Sequence, residues 1–494
     1  MEKAKHVLIS FILIAIGSIF LNAYASDVTT GKTAYVHLFE WKWTDIAQEC
    51  EQFLGPKGFA AVQVSPPNEH AVLEGHPWFE RYQPVSYKLE SRSGTRAEFI
   101  DMVRRCKTAG VRIYVDAVIN HMAQRRGPQT GINGSPFRDY DFPGTYAPWD
   151  FHHCGRNGND QIDTYQDRWV VQNCELNRLP DLDTGSEYVR NTIAGYLQDL
   201  LDIGVAGFRI DAAKHIPADD IRAIYAKLDR DSYPYQEVID HGGEPISSTE
   251  YFTTGDVIEF RYGAMIWDVF NGHHGQNLSR LEVFGPRWGF VPDHKAIVFI
   301  DNHDQQRGHG AGGNVLTYRD GQKYALANAF MLAWPYGYPQ VMSSYRFSNG
   351  DQGPPSDSQG HTKNVFENGV SQCGKDWICE HRWSAIANMV GFRNATQRAP
   401  YVTRWWSNGG NLIAFARGNL GYFVLNGESS ATRRWFDTGL PEGEYCNVIS
   451  GEFVRGTCTG NTVRVSRNGW AEISIPAFNG VAIHAKAKLP ARRR

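Results

Sequence analysis

Short apolar runs rich in β-branched and aromatic residues recur through the first ~350 positions of the chain, at 34–39, 59–64, 111–118, 205–210, 296–300 and 340–343. Each breaks off into polar residues, and helical stretches at 97–108 and 189–201 precede two of them. A strand buried on both faces reads as a continuous apolar run, and alternation with amphipathic helices implies a parallel sheet covered on each side. Repeated over ~370 residues, this pattern predicts an α/β fold, a (β/α)8 TIM barrel with insertions, rather than an open sheet.

Two regions interrupt the rhythm. Residues 121–183 are rich in Gly, Asn, Asp, Pro and aromatics and carry no long helical period. So long an irregular stretch inside a compact domain predicts a small loop-rich domain inserted after the third strand. Beyond position 401 the helical pattern gives way to short strands such as 412–416 and 421–425, predicting a C-terminal all-β sandwich. The expected layout is barrel at 26–120, insert at 121–183, barrel again at 184–400 and sandwich at 401–494.

Residues 1–25 read as a signal peptide. Lys3 and Lys5 precede an apolar run from Val7 to Phe20, and Ala23 and Ala25 offer a cleavage site. The cysteines fit an oxidising compartment: Cys50, Cys106, Cys154, Cys174, Cys373, Cys379, Cys446 and Cys458 form an even set without a zinc-type C-x-x-C pair. Their connectivity stays open, although consecutive pairing closes four local loops. Asn133, Asn277 and Asn394 each begin an N-x-S/T triplet. A formal net charge of −3 gives no global attraction for nucleic acid or an acidic membrane. The Arg492–Arg494 run reads as a frayed tail.

The polar clusters at the strand ends carry the chemistry. The third strand runs into Asp116-Ala-Val-Ile-Asn120-His121, and the fourth into Arg209-Ile-Asp211-Ala-Ala-Lys214-His215. Tyr235-Gln236-Glu237-Val238 follows, and a later strand ends Asp301-Asn302-His303-Asp304. A closed barrel gathers such ends into one ring, where the working residues of these folds sit.

These four clusters resemble the conserved regions of the alpha-amylase family of glycoside hydrolases (family 13), and the animal-type members above all. The likeness extends to Trp78-Phe-Glu-Arg-Tyr-Gln83, Gly308-His-Gly-Ala-Gly-Gly313 and Val341-Met-Ser-Ser-Tyr-Arg346. It implies endo-hydrolysis of α-1,4 bonds in starch, glycogen and maltooligosaccharides by a retaining double displacement. By resemblance Asp211 is the nucleophile, Glu237 the acid/base and Asp304 the transition-state stabiliser. Arg209, two residues before Asp211, faces the same side of the strand and favours its ionised form. Glu244 and Glu250 rival Glu237 but lie in a polar loop.

The resemblance also assigns substrate contacts to Trp78, Phe79, Tyr82, Gln83, His121, Lys214, His215 and His303. Family members often carry a second Trp where Phe79 stands; stacking survives that change while an indole donor is lost. Calcium is the implied metal, held by side-chain oxygens of Asn120 and Asp181 and backbone carbonyls of Gln172 and His215. Animal-type enzymes bind an activating chloride through two arginines and an asparagine. Here Arg209 and Asn302 are present but Gln340 replaces the second arginine, so weak or absent chloride binding is expected. Vertebrate members carry a further cysteine pair that this chain lacks, which implies an invertebrate source. The implied setting is a secreted monomer, in a digestive lumen, with proteinaceous amylase inhibitors as a further partner class. Competing readings are a maltase or transglycosylase on the same barrel, or a silent glucan-binding relative; the intact carboxylate set weighs against the last.

Overall fold

Eight short parallel strands close on themselves in the computed structural model, which describes residues 33–124, 127–310 and 314–491. They are β1 (Tyr35–Leu38), β2 (Ala61–Val64), β3 (Arg112–Ala117), β4 (Gly207–Ile210), β5 (Tyr233–Gln236), β6 (Asp256–Ile258), β7 (Ala296–Val298) and β8 (Tyr338–Ser343). Each pairs with its neighbour in sequence, and β8 returns to β1 with Gln340 opposite Tyr35. The six apolar runs coincide with six of these strands. The other two, β5 and β6, carry no clean apolar run, because β5 contains Pro234 and β6 opens on Asp256. The expected leader and the terminal arginine run lie outside the described residues.

The intervening helices cover the barrel with one apolar face each. In α1 (Arg96–Thr108), Phe99, Met102, Val103 and Cys106 are buried at helical spacing. Thr95 and Glu98 close a reciprocal capping box at its start, satisfying two otherwise free backbone donors. A longer helix, α2 (Glu187–Ile203), buries Val189, Ile193, Leu197 and Leu200 and stops at Gly204, which takes the left-handed conformation (φ 109°). Between β3 and α2 the described residues form a two-residue hairpin, short turns and a six-residue helix, Arg168–Asn173, tied by the Cys154–Cys174 disulfide. The remaining bridges are Cys50–Cys106, Cys373–Cys379 and Cys446–Cys458, so consecutive cysteines do pair.

Because strand side chains alternate, the barrel interior is layered. Toward the N-terminal ends of the strands, Tyr35, Tyr114, Tyr235 and Tyr338 pack together, the Tyr35 ring lying 4.8–5.8 Å from the other three. Two residues further along those strands come His37, Asp116, Glu237 and Gln340, joined by Gln63 of β2 and Arg209 of β4. One register step therefore separates an aromatic floor from a polar layer.

Beyond the barrel, β9 (Thr403–Ser407), β10 (Leu412–Arg417), β11 (Gly421–Asn426) and β16 (Asn479–His484) form an antiparallel sheet. Its two faces bury different sets. Ile413, Phe415, Phe423 and Leu425 join the barrel core, with Phe415 5.4 Å from Trp334. Leu412, Ala414, Tyr422 and Val424 pack instead on the paired strands β12 (Thr432–Asp437) with β15 (Trp470–Ile475) and β13 (Gly443–Cys446) with β14 (Thr462–Val465). That second core makes this region a sandwich.

Candidate active site

The strand ends converge on a cleft of about 740 Å³ lined by Trp78, Phe79, Tyr82, Gln83, His121, Asp211, Lys214, His215, Glu237, His303 and Asp304. Asp211 directly follows β4 and Glu237 directly follows β5. Their backbone N–H groups extend the ladder, donating to Ala117 O (3.1 Å) and Ile210 O (3.0 Å). Both carboxyls are thereby fixed on one rim. Ala212, between them, sits in the left-handed region (φ 49°) and donates its N–H to Glu237 Oε2 at 2.8 Å. Strain of this kind in a non-glycine residue persists only where neighbours enforce it.

One guanidinium serves three of the carboxyls. Arg209 Nη1 reaches Asp116 Oδ1 (2.6 Å) and Asp211 Oδ1 (2.8 Å), while Nη2 lies 2.7 Å from Glu237 Oε1, close enough for ion pairing but outside hydrogen-bond geometry. Burial pushes the carboxyls of Asp116 and Asp304 up, to about 7 and about 8. It also raises Glu237, where Arg209 opposes the rise and the charge of Asp211 adds to it. Asp211 is raised by burial, but Arg209 and a hydrogen bond with Glu237 both pull it down. One cation cannot keep four buried carboxyls ionised, so protons are shared out among them. Asp211 has the arrangement that favours the anion and Glu237 the one that favours the acid.

Histidines and aromatics complete the walls. Burial pushes His121 and His215 down to about 4 and holds His303 well below the usual imidazole range. Neutral rings can both donate to and accept from sugar hydroxyls. The Tyr82 ring stacks on His303 with centroids 5.1 Å apart, and its hydroxyl donates to Asp116 Oδ2 at 2.9 Å. Trp78 meets Phe79 edge-on at 5.8 Å and is anchored by its indole N–H on Gly350 O (2.9 Å). Gln83 Oε1 accepts from the Gln124 N–H.

Sequence reasoning missed part of the lining. Tyr165, Leu176, Leu179, Ile239, Glu244, His309 and Gly310 also face the cleft. Most belong to segments without a strand-end signal. Glu244, set aside as an acid, pairs with Lys214 Nζ, whose ammonium also lies 5.4 Å from the Tyr165 ring. Gly310 (φ 65°) lies against Asp304; a Cβ there would come within 2.9 Å of the Asp304 Cβ.

The oxygen donors expected around a cation lie where the insert meets the barrel. Asn120 and Asp181 are buried beside each other, the Leu182 N–H donating to Asn120 O at 3.0 Å. Asp181 Oδ2 accepts from His152 at 2.7 Å, while its Oδ1 is buried without a partner. Burial pushes that carboxyl up to about 7. His215 Nδ1 contacts Val171 O at 3.0 Å, so the His215 ring meets the residue that precedes Gln172. An orphaned carboxylate oxygen among neutral amide and carbonyl oxygens fits a hard cation. Among the described residues no three His, Cys, Asp or Glu side chains converge on one point, in keeping with a set containing one carboxylate. Gln340 hydrogen-bonds to Gln63, which also accepts from the Tyr235 hydroxyl (2.7 Å) and donates to Asp116 (3.3 Å). Asn302 Oδ1 accepts from the Gln305 N–H at 2.7 Å.

Comparison with known proteins bears on this geometry. Residues 61–263 match the family model of the alpha amylase catalytic domain, and residues 405–486 that of the alpha amylase C-terminal all-beta domain. The chain is 49% identical over 498 residues to alpha-amylase 1B of Homo sapiens, covering 94% of this chain and 97% of that protein. It is 48% identical to the pancreatic alpha-amylase of Sus scrofa, with 97% and 99% covered. The crystal structure of alpha-amylase I from Eisenia fetida superposes with a TM-score of 0.87 at 43% identity, covering 92% of this chain and 97% of that one. A mutant of that earthworm enzyme has been solved with maltohexaose, at the same TM-score.

Proposed function

The chain belongs to the alpha-amylase family and hydrolyses internal α-1,4-glucosidic bonds, and from that premise we propose that Asp211, Glu237 and Asp304 carry the reaction. The observation behind this reading is the shared Arg209 contact, which holds Asp211 and Glu237 together on one rim of the cleft. In the first step Asp211 bonds to the anomeric carbon as the glycosidic C–O bond breaks, and Glu237 gives its proton to the departing oxygen. In the second, Glu237 takes a proton from water, whose oxygen replaces Asp211 on the sugar. Asp304, on the facing rim, holds sugar hydroxyls and so favours the oxocarbenium-like transition state.

Anomeric analysis of the first products from maltopentaose tests this scheme. Initial release of the α-anomer supports retention, and initial release of the β-anomer overturns the nucleophilic role of Asp211. Glu237→Gln should lower kcat by ~10²–10⁴-fold, with azide or fluoride-leaving-group substrates recovering part of the first step.

Calcium is the proposed metal. Asn120 and Asp181 side chains with the Gln172 and His215 carbonyls would hold it, fastening the insert to the barrel beside His215. Chelation should lower the melting temperature of the parent and leave Asp181→Asn little changed. In the chloride position, Gln340 supplies a neutral amide already engaged by Gln63, which supports activity without added chloride; strong activation on titration would remove that reading. The remaining subsite assignments, to Trp78, Phe79, Tyr82, Gln83, His121, Lys214 and His303, rest on their place in the cleft. Secretion with loss of residues 1–25 is proposed from the leader-like sequence. Four disulfides accord with an oxidising compartment, and among the described residues no helix is long and apolar enough to cross a membrane.

A further inference from the structure

The outer face of the β12–β15 pair presents two tryptophans to solvent. Trp435 is 57% exposed and Trp470 42%. Lone exposed aromatics are ordinary, but these two are placed together by register. Trp435 lies opposite Glu472, and Asp437 opposite Trp470, so the indoles occupy diagonal positions on one face of neighbouring strands. Diagonal Cβ atoms are about 7–8 Å apart, within reach of one extended ligand. The opposite face is committed to the sandwich core through Phe436, Ala471 and Ile473. The tryptophans therefore contribute nothing to that core and leave their apolar surface in water.

The charged groups on that face are paired. Arg433 pairs with Glu472 across the two strands, and Arg404 Nε meets Asp437 Oδ2 at 3.0 Å. These ion pairs leave no unpaired charge on the tryptophan-bearing face of the two strands, and a neutral polyhydroxy chain matches such a face. Its C–H faces stack on indole rings, and its hydroxyls bond to the flanking carboxylates and guanidinium groups. From this neutral, aromatic and polar-rimmed face we propose that Trp435 and Trp470 form a second glucan-binding platform, separate from the cleft, that holds the enzyme on long or granular α-glucan. The choice of glucan as occupant rests on the activity assigned above. A polymer held at two places on one molecule gains affinity through effective concentration, while a short oligosaccharide that occupies only the cleft does not.

The test uses the full chain carrying Trp435→Ala and Trp470→Ala together, beside Trp435→Tyr with Trp470→Tyr as the version that keeps aromatic rings. Adsorption to starch granules should weaken about tenfold or more in the alanine form and stay near the parent value in the tyrosine form. Both forms should keep the parent kcat/KM on maltopentaose. Unchanged granule adsorption in the alanine form overturns the proposal. So does a parent dimer, seen by sedimentation, that the alanine substitutions split, because the face would then be a contact between two copies. A parent enzyme inactive on maltopentaose would instead count against the cleft assignment, which separates the two readings.

Discussion

The two layers of the barrel interior are one register step apart and are built by opposite rules. In the floor, tyrosine rings fill the space and make modest hydroxyl contacts such as Tyr114 to Tyr338 at 3.5 Å. In the layer above and at the rim, Asp116, Asp211, Glu237 and Asp304 crowd around Arg209. The first arrangement is what packing favours. The second keeps acids in an environment that disfavours their charge, which is what acid/base chemistry requires. Identical backbone geometry thus supports stability in one layer and reactivity in the other, and substitutions should separate the two.

The largest effect is expected at the rim. Asp211→Asn should lower kcat on maltooligosaccharides by about 10⁴-fold or more while leaving the melting temperature equal or raised, since a buried acid is neutralised. A matching loss of stability would show that Asp211 holds the fold. Next comes the shared cation. Arg209→Met leaves three carboxyls without their partner and should destabilise by ~3–5 kcal/mol. Adding Asp116→Asn should recover part of that loss in a denaturant melt; strict additivity would mean that the pair does not interact.

A smaller, pH-dependent effect should follow from Asp304. In the folded chain it keeps its proton up to about pH 8, whereas an unfolded Asp loses it near 4. Between those values the folded state binds more protons, so its contribution to stability falls as pH rises through the window. Asp304→Asn should therefore flatten the melting temperature between pH 5 and 8, and a profile parallel to the parent would refute the assignment. The smallest effect belongs to the floor. Tyr114→Phe should change stability by about 1 kcal/mol or less and leave activity untouched, because the hydroxyl it removes makes one long contact.

Much of this could be read from the chain because the signals were local. Short apolar runs marked six strands, and the polar cluster at 301–304 put Asp304 at a strand end. Where local signals were weak, reading failed: β5 and β6 were not delimited by apolar runs, and Tyr165, Leu176 and Leu179 reached the cleft from the irregular insert, whose composition resembles any surface loop. The polar layer was a different kind of omission. Gln63 and His37 sit inside strands that read as apolar, and only closure of the barrel turns them toward Arg209 and Gln340.

The sequence by itself determined the order of strands and helices, the carboxylates at strand ends and the pool of paired cysteines, because each depends on residue type at short spacing. Only the tertiary structure decided which acids share one guanidinium, that one oxygen of Asp181 is left without a partner, and that two tryptophans 35 positions apart stand on one exposed face. Those outcomes depend on register and closure, which bring distant residues to within a few ångströms and which no short window of sequence encodes.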